Sequence, residues 1–199
     1  MNDELLIQDF IAGNAAAFNT LVWRYEKPIY NFTYRYLGDA DQAKDTMQQC
    51  FIRAFKSIRK LKDQTKFAAW LYQIAANLCK DELKRQKYRT FSIADSLQND
   101  NANDREDRVI LADHSHSPGQ YVQKEELTRL LHRALMSIPE EQRIVIIMKQ
   151  YHDLKFVEIA EILKTPINTI KSRMYSGLEA LQKILKQWGL DREDLGYEM

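Results

Sequence analysis

The stretch from Phe156 to Leu185, FVEIAEILKTPINTIKSRMYSGLEALQKIL, constrains the fold most. Apolar residues recur at helical spacing on both sides of a break. Before it, Val157, Ile159, Ala160 and Leu163 supply an apolar side, and Ala160 is small where a second helix must cross closely. Lys164, Thr165 and Pro166 end this helix, because proline disfavours the helical conformation in the residue before it. Asn168 is placed to cap the next helix. There Ile170, Met174, Leu178, Leu181 and Leu185 mark one face. The pattern predicts two helices joined by a tight turn. Thr169, Lys171, Ser172, Arg173, Tyr175 and Ser176 then cluster on exposed sides near the start of the second helix. A major groove accepts a helix of this kind. Its first backbone N–H groups favour a phosphate, and its Lys and Arg can reach phosphates or guanine edges. DNA is the partner this implies, although the bare motif also occurs in bundles that bind none.

Nearly all the remaining pattern is helical as well. A short amphipathic piece runs from Leu5 to Ile11. Phe18, Leu21, Val22, Tyr25, Ile29, Phe32 and Tyr36 then mark a long helix ending near Gly38, with Pro28 predicting a kink. Asp39 and Gln42 form a capping-box pattern. It opens a helix with Ala43, Met47, Cys50, Phe51, Ala54, Phe55 and Ile58 inward. Leu61–Lys66 reads as a polar loop with Thr65 as cap. Phe67, Leu71, Ile74, Ala75, Leu78 and Leu83 form the next inward face. From 90 to 120 the periodicity fails, and Asn, Asp, Ser and Gln dominate up to Pro118-Gly119, the composition of a flexible linker. Helical pattern resumes near Tyr121. Ser137 is placed to cap a helix with Ile144, Val145, Ile147 and Met148 inward, and His152-Asp153 turns into the opening pair. No strand pattern appears. The fold class is therefore all-α, with two helical domains: 1–89, a linker at 90–120, 121–187, and an acidic tail at 188–199.

Net charge is only +1, but its distribution is uneven. It is +5 over residues 1–89, −4 over 90–123, +3 over 124–187 and −3 over 188–199. Two basic blocks suit nucleic acid, although mildly basic helical surfaces also occur without such a partner. The first block crowds cations around one loop. Arg53, Lys56, Arg59, Lys60, Lys62 and Lys66 precede a helix whose far end holds Lys80, Lys84, Arg85, Lys87 and Arg89. Lys80, Lys84 and Lys87 share a face. A basic groove beside a polar loop suits a nucleic-acid backbone and an exposed base. Trp70 and Tyr72 are candidates for stacking, with a core role the blander reading of Trp70.

Other functions find little support. Cys50 and Cys79 sit at apolar helical positions and read as small buried hydrophobes of a reducing compartment. His114, His116 and Asp113 lie in the linker, where solvation is the simpler reading than a metal site. No phosphate-cradling glycine loop or catalytic signature occurs. The chain is expected not to be an enzyme, and to need no metal, cofactor or small-molecule substrate. It has no signal-like start or membrane-length apolar run, so a cytoplasmic location without membrane insertion is expected.

The residues also carry a resemblance. SIPEEQRIVIIMKQYHDLKFVEIAEILKTPINTIKSRMYSGLEAL resembles region 4 of extracytoplasmic-function (ECF) sigma factors of the sigma-70 family. AFNTLVWRYEKPIYNFTYRYLGDADQAKDTMQQCFIRAF and FAAWLYQIAANLCKDELKR are similar to region 2, and the two occur in the family's order. The resemblance implies a chain that binds core RNA polymerase at its clamp and flap regions, recognises a promoter −35 element with region 4 and melts the −10 element with region 2. Asp41, Asp45, Gln48, Gln49 and Arg53 would meet the clamp. Leu61, Lys62, Asp63, Gln64 and Lys66, with Asn77, Lys80 and Lys84, would capture the −10 strand. Thr169, Lys171, Ser172, Arg173, Tyr175 and Ser176 would bind the −35 element. An anti-sigma factor is an implied partner. The family often has glycine where Lys164 stands, Gly-Thr at Asn168-Thr169, and basic residues where Ser176-Gly177 stands. That last departure implies fewer phosphate contacts. Two rivals remain open at the level of sequence: a helix-turn-helix regulator acting without polymerase, and a helical adaptor that binds only proteins.

Overall fold

The computed structural model describes residues 2–94 and 118–190. Among the described residues it contains eight α-helices and no strand. The first block holds α1 (Asp3–Ile11), α2 (Ala15–Leu37), α3 (Ala40–Ser57) and α4 (Phe67–Ala94). The second holds α5 (Pro118–Ser137), α6 (Glu140–Ile146), α7 (Phe156–Leu163) and α8 (Ile167–Gln187). His114 and His116 lie outside the described residues, as do the side chains of Lys87 and Arg89.

Local chemistry sets the helix ends. Asn2 and Asn14 cap α1 and α2 by accepting from Glu4 N and Ala16 N. Helix α2 runs through Pro28 as one element and closes on Gly38, whose φ of 81° is the left-handed conformation a C-terminal glycine supplies. Asp39 accepts from Gln42 N at 2.9 Å, which forms one half of the capping box. The Gln42 side chain instead meets Gln86 of α4. The stripe Ala43, Met47, Cys50, Ala54 and Ile58 is buried as its spacing predicts, whereas Phe55 is 50% exposed. Cys50 and Cys79 are buried and free, and burial pushes the Cys50 thiol up to about 12.

Several expectations are corrected. Asp63, not Thr65, caps the turn before α4, its carboxylate accepting from Thr65 N at 3.1 Å over a 3₁₀ segment at Gln64–Lys66. An aspartate one residue before the turn reaches the free N–H that Thr65 itself carries. Helix α4 continues to Ala94 and α5 starts at Pro118, so both edges of the expected linker are helical. Proline is tolerated in a first helical turn, where its missing N–H has no partner to lose. Ser137 does not cap α6: its hydroxyl donates back to Arg133 O at 2.8 Å, and Pro139 holds the cap position. Asn168 likewise lies inside α8, with Pro166 at the cap. On α7, Ile159 and Ile162 are buried while Val157 is 56% exposed.

Helix α6 passes into a π-helical turn, Ile147–Tyr151, whose extra residue per turn re-aims the chain before Asp153 takes a positive φ of 51°. That segment delivers Tyr151 and His152 to the first block. The His152 ring meets those of Phe32 and Tyr72, at 5.7 and 5.0 Å between centroids. The Tyr72 hydroxyl and His152 Nδ1 are 2.8 Å apart. Tyr36 donates to Glu140 Oε1 at 2.6 Å, and the Arg35 guanidinium lies 4.2 Å above the Tyr151 ring. The two blocks thus share one buried core.

Burial first, and then the nearby Arg35 charge, lowers the His152 pKa from 6.5 to about 4, against a small opposing pull from Asp153. A depressed histidine pKa means the packed form binds fewer protons than the unfolded form between these values. Its contribution is complete above about pH 6.5 and is lost as pH falls towards 4. Denaturant titrations from pH 7 to pH 4.5 are expected to show a loss of a few kcal/mol, and His152→Phe should remove this part of the slope. An identical slope in that variant would rule out His152 as its source.

Candidate nucleic-acid interface

Helix α8 buries Ile170, Met174 and Leu185 against α5, α6 and α7, which fixes the faces left outside. Thr169, Lys171, Ser172, Tyr175 and Ser176 are exposed, with Tyr175 at 66%. Arg173 is half-buried because its guanidinium forms an ion pair with Glu141 in the first turn of α6. No side chain caps the α8 N-terminus. Its first N–H groups therefore point outward with the helix dipole behind them, a setting that favours an anion. The six residues form one polar end of α8, with Arg173 the one already engaged.

The left-handed turn before α8 falls on Lys164, at φ 50° and ψ 46°. Such a conformation costs a non-glycine residue about 1–2 kcal/mol. Two backbone bonds close the turn around it, Lys164 N to Glu161 O and Thr165 N to Ala160 O. Gly177 explains the departure at Ser176-Gly177. It is buried where α8 crosses α6, and a Cβ there would lie 2.7 Å from Ile146 Cδ1 and 3.0 Å from Gln142 Cβ. A basic side chain at this position has no room. Leu178, expected on the inward face, is 38% exposed, because Gly177 occupies that place in the stripe.

In the first block Asn77 and Lys84 are exposed and Lys80 half-exposed along one stripe of α4. Gln73 continues that stripe towards the helix start by the same four- and three-residue spacing. Lys62 and Lys66 are exposed beside it, Leu61 and Gln64 are half-buried, and Asp63 holds its own turn together. Lys66 Nζ lies 3.0 Å from Glu161 Oε2 of α7. Tyr72 is 6% exposed and engaged with His152, so in this packing it is unavailable for stacking. Trp70 is half-buried and packs on Phe67 at 5.9 Å.

Asp41, Asp45, Gln48, Gln49 and Arg53 are all exposed on one side of α3. Ile52, 53% exposed, stands among them, a residue that helical periodicity alone does not single out. Its signal was an isoleucine out of phase with the buried stripe, adjacent to Arg53. Among the described residues, no helix is long and apolar enough to cross a membrane.

Residues 21–89 match the family described as Sigma-70 region 2, and residues 128–181 match Sigma-70, region 4. The ECF RNA polymerase sigma factor SigW of Bacillus subtilis is 34% identical over 174 residues, 87% of this chain and 91% of its own. The chain belongs to the sigma-70 family, in its ECF group. The ECF RNA polymerase sigma-E factor of Escherichia coli is 31% identical over 182 residues, 91% of this chain and 93% of its own. Two solved complexes share the fold of this sigma factor, each with a TM-score of 0.66. One is the sigma factor RpoE with the anti-sigma factor NepR from Bartonella quintana, 21% identical and covering 85% of this chain and 96% of that one. The other is CnrH with the cytosolic domain of CnrY, 20% identical and covering 93% and 97%.

Replacing Gly177 tests the close crossing. Gly177→Ala gains helix propensity but forces Gln142 and Ile146 aside, and overpacking outweighs the gain. A net destabilisation of about 1–2 kcal/mol is expected in chemical denaturation. A stabilised variant would show that the α6–α8 crossing has slack.

Proposed function

We propose that this sigma factor binds core RNA polymerase, directs it to promoters through their −35 and −10 elements and initiates transcription there. The observation that carries the reading is the occurrence of both sigma-70 regions, in order, in one chain. A regulator that only binds duplex DNA has no use for the first block. The role is one of binding and strand separation, without a catalytic step of its own, and is exercised in the cytoplasm.

The polar end of α8 is the proposed −35 reader, with Thr169, Lys171, Ser172, Tyr175 and Ser176 outward. Arg173 is held ready by Glu141, which keeps the guanidinium fork oriented before DNA arrives. The proposed −10 site combines Leu61, Lys62, Asp63, Gln64 and Lys66 with Asn77, Lys80 and Lys84. Their cations follow the strand backbone while the turn at Gln64–Lys66 shapes a place for an unstacked base. The α3 face of Asp41, Asp45, Gln48, Gln49 and Arg53 is the proposed clamp contact. Ile52 gives it an apolar centre, a composition typical of well-packed interfaces. An anti-sigma factor is the proposed negative partner, covering these faces.

Mixing the purified chain with core polymerase is expected to give promoter-specific initiation, and sequencing the DNA held by the complex would identify the promoters. Absence of any complex with core polymerase at low salt would remove the sigma reading. Within that complex, Arg173→Ala is expected to weaken −35 binding by about 1–3 kcal/mol at its cognate base. An equal loss on every sequence would mean a phosphate contact instead. Lys84→Ala is expected to impair open-complex formation, read by permanganate footprinting, more than binding to a −35 duplex. Unchanged opening would dismiss Lys84 from the −10 site.

A further inference from the structure

Helix α1 precedes the segment that matches Sigma-70 region 2, which begins at residue 21. It packs on α2 and also against the turn Gln64–Lys66, the turn proposed to shape the place for an unstacked −10 base. The end of α1 that carries Asp3 is tied to α2 by one carboxylate. Its Oδ2 accepts from the Tyr25 hydroxyl at 2.5 Å, and its Oδ1 pairs with Arg24. The Asp3 side chain is only 19% exposed, so water competes little for these bonds.

Tyr25 carries the tie inward. Burial first, and then its bond to Asp3, raises the phenol pKa, so the hydroxyl stays a donor at physiological pH. Its ring stands edge-on to that of Phe67, at 5.5 Å between centroids. Phe67 is 1% exposed, opens α4 and follows Lys66 directly. The turn therefore lies between two held points: Asp63, which caps it from within, and Phe67, which Tyr25 backs. A single turn of 3₁₀ helix makes few and poorly aligned bonds of its own. Its shape depends on what it rests against, and that support is α1 and Phe67.

We infer that Asp3 and Tyr25 are positioning residues for −10 recognition, acting through α1 and Phe67 on the turn Gln64–Lys66. The inference rests on the −10 site proposed above and deepens it. Neither residue needs to reach DNA. Lys80 and Lys84 stand several turns further along α4 and do not depend on the tie. The two parts of the site therefore separate. The α4 cations set how strongly a strand is held, because phosphate contacts carry no sequence information. The braced turn sets which base is accepted where the strand is unstacked. Loosening the brace costs choice of base before it costs affinity.

Selection from promoter libraries reads the difference. Wild-type, Tyr25→Phe and Asp3→Ala chains, each bound to core polymerase, are offered one library randomised over the −10 element and another over the −35 element. The retained DNA is sequenced. Tyr25→Phe removes only the bonded hydroxyl and keeps the ring on Phe67. Both variants are expected to flatten base preference at a −10 position about fivefold, the lower end of what loss of a base contact gives. Preferences at −35 and the amount of core polymerase bound should stay as in the wild type. The double variant should flatten the −10 preference no further, because both changes cut one tie. Cys50→Ala is the control for general softening. It opens a small cavity where α3 meets Leu71 of α4, away from the tie. Unchanged −10 preference in either variant, or summed effects in the double one, overturns the inference. So does equal flattening in Cys50→Ala or at −35. These outcomes leave the sigma reading intact, whereas a wild-type complex that selects no sequence from either library removes that reading and the inference with it.

Discussion

The contact on which this structure turns is one imidazole ring against two aromatic rings. His152 belongs to a turn of the second block, yet its surroundings, Phe32 and Tyr72, come from two helices of the first. It reaches them because α6 is wound wider over Ile147–Tyr151 and because Asp153 accepts a left-handed backbone. Tyr36 and Glu140 extend the same junction, as do Arg35 and Tyr151. Loss of His152 from its place would leave Phe32 and Tyr72, now buried, facing solvent. That exposure is a cost, and it favours the packed form.

What could be read from the sequence was whatever depends on one helix and its period. The buried stripe of α3, the inward face of α4 and the two helices flanking Lys164 follow from spacing, because each side chain's fate there is set by neighbours three and four residues away. The caps were less legible. Asp63, Thr65, Ser137 and Asn168 all have capping chemistry, and the choice among such residues rests on a backbone angle that the sequence does not carry. Gly38 was legible because glycine meets the left-handed conformation at a helix end with the least strain. Gly177 was read as a missing cation, since nothing local to α8 announces that Gln142 and Ile146 press on it.

For the candidate site, legibility divided along the same line. The polar end of α8 and the stripe of Asn77, Lys80 and Lys84 are features of single helices, and both emerge outward. The engagement of Arg173 by Glu141 and of Lys66 by Glu161 joins residues 32 and 95 positions apart. No periodicity reports such pairs. Tyr72 failed as a free stacking residue for the same reason. Its spacing fits a core face and an exposed face equally well, and a residue 80 positions away decides between them.

These long-range pairs share a consequence for specificity. Glu141 and Glu161 each neutralise a cation that a nucleic-acid phosphate could otherwise claim, and both pairs are solvent-accessible, with Glu141 69% exposed and Glu161 52%. An exposed pair is weak, so a polyanion can displace the carboxylate, but only where its other contacts hold it in register. Non-specific DNA offers the charge without the register. On the proposed reading of the site, the carboxylates lower affinity for arbitrary DNA more than for a promoter that satisfies the polar end of α8 and the α4 stripe together. A chain whose net charge is only +1 has little long-range attraction for DNA to begin with, and pairing its best-placed cations internally reduces it further. On that same reading, such a protein gains its grip from polymerase and from both elements at once, which is the behaviour required of a subunit whose task is to make an enzyme selective.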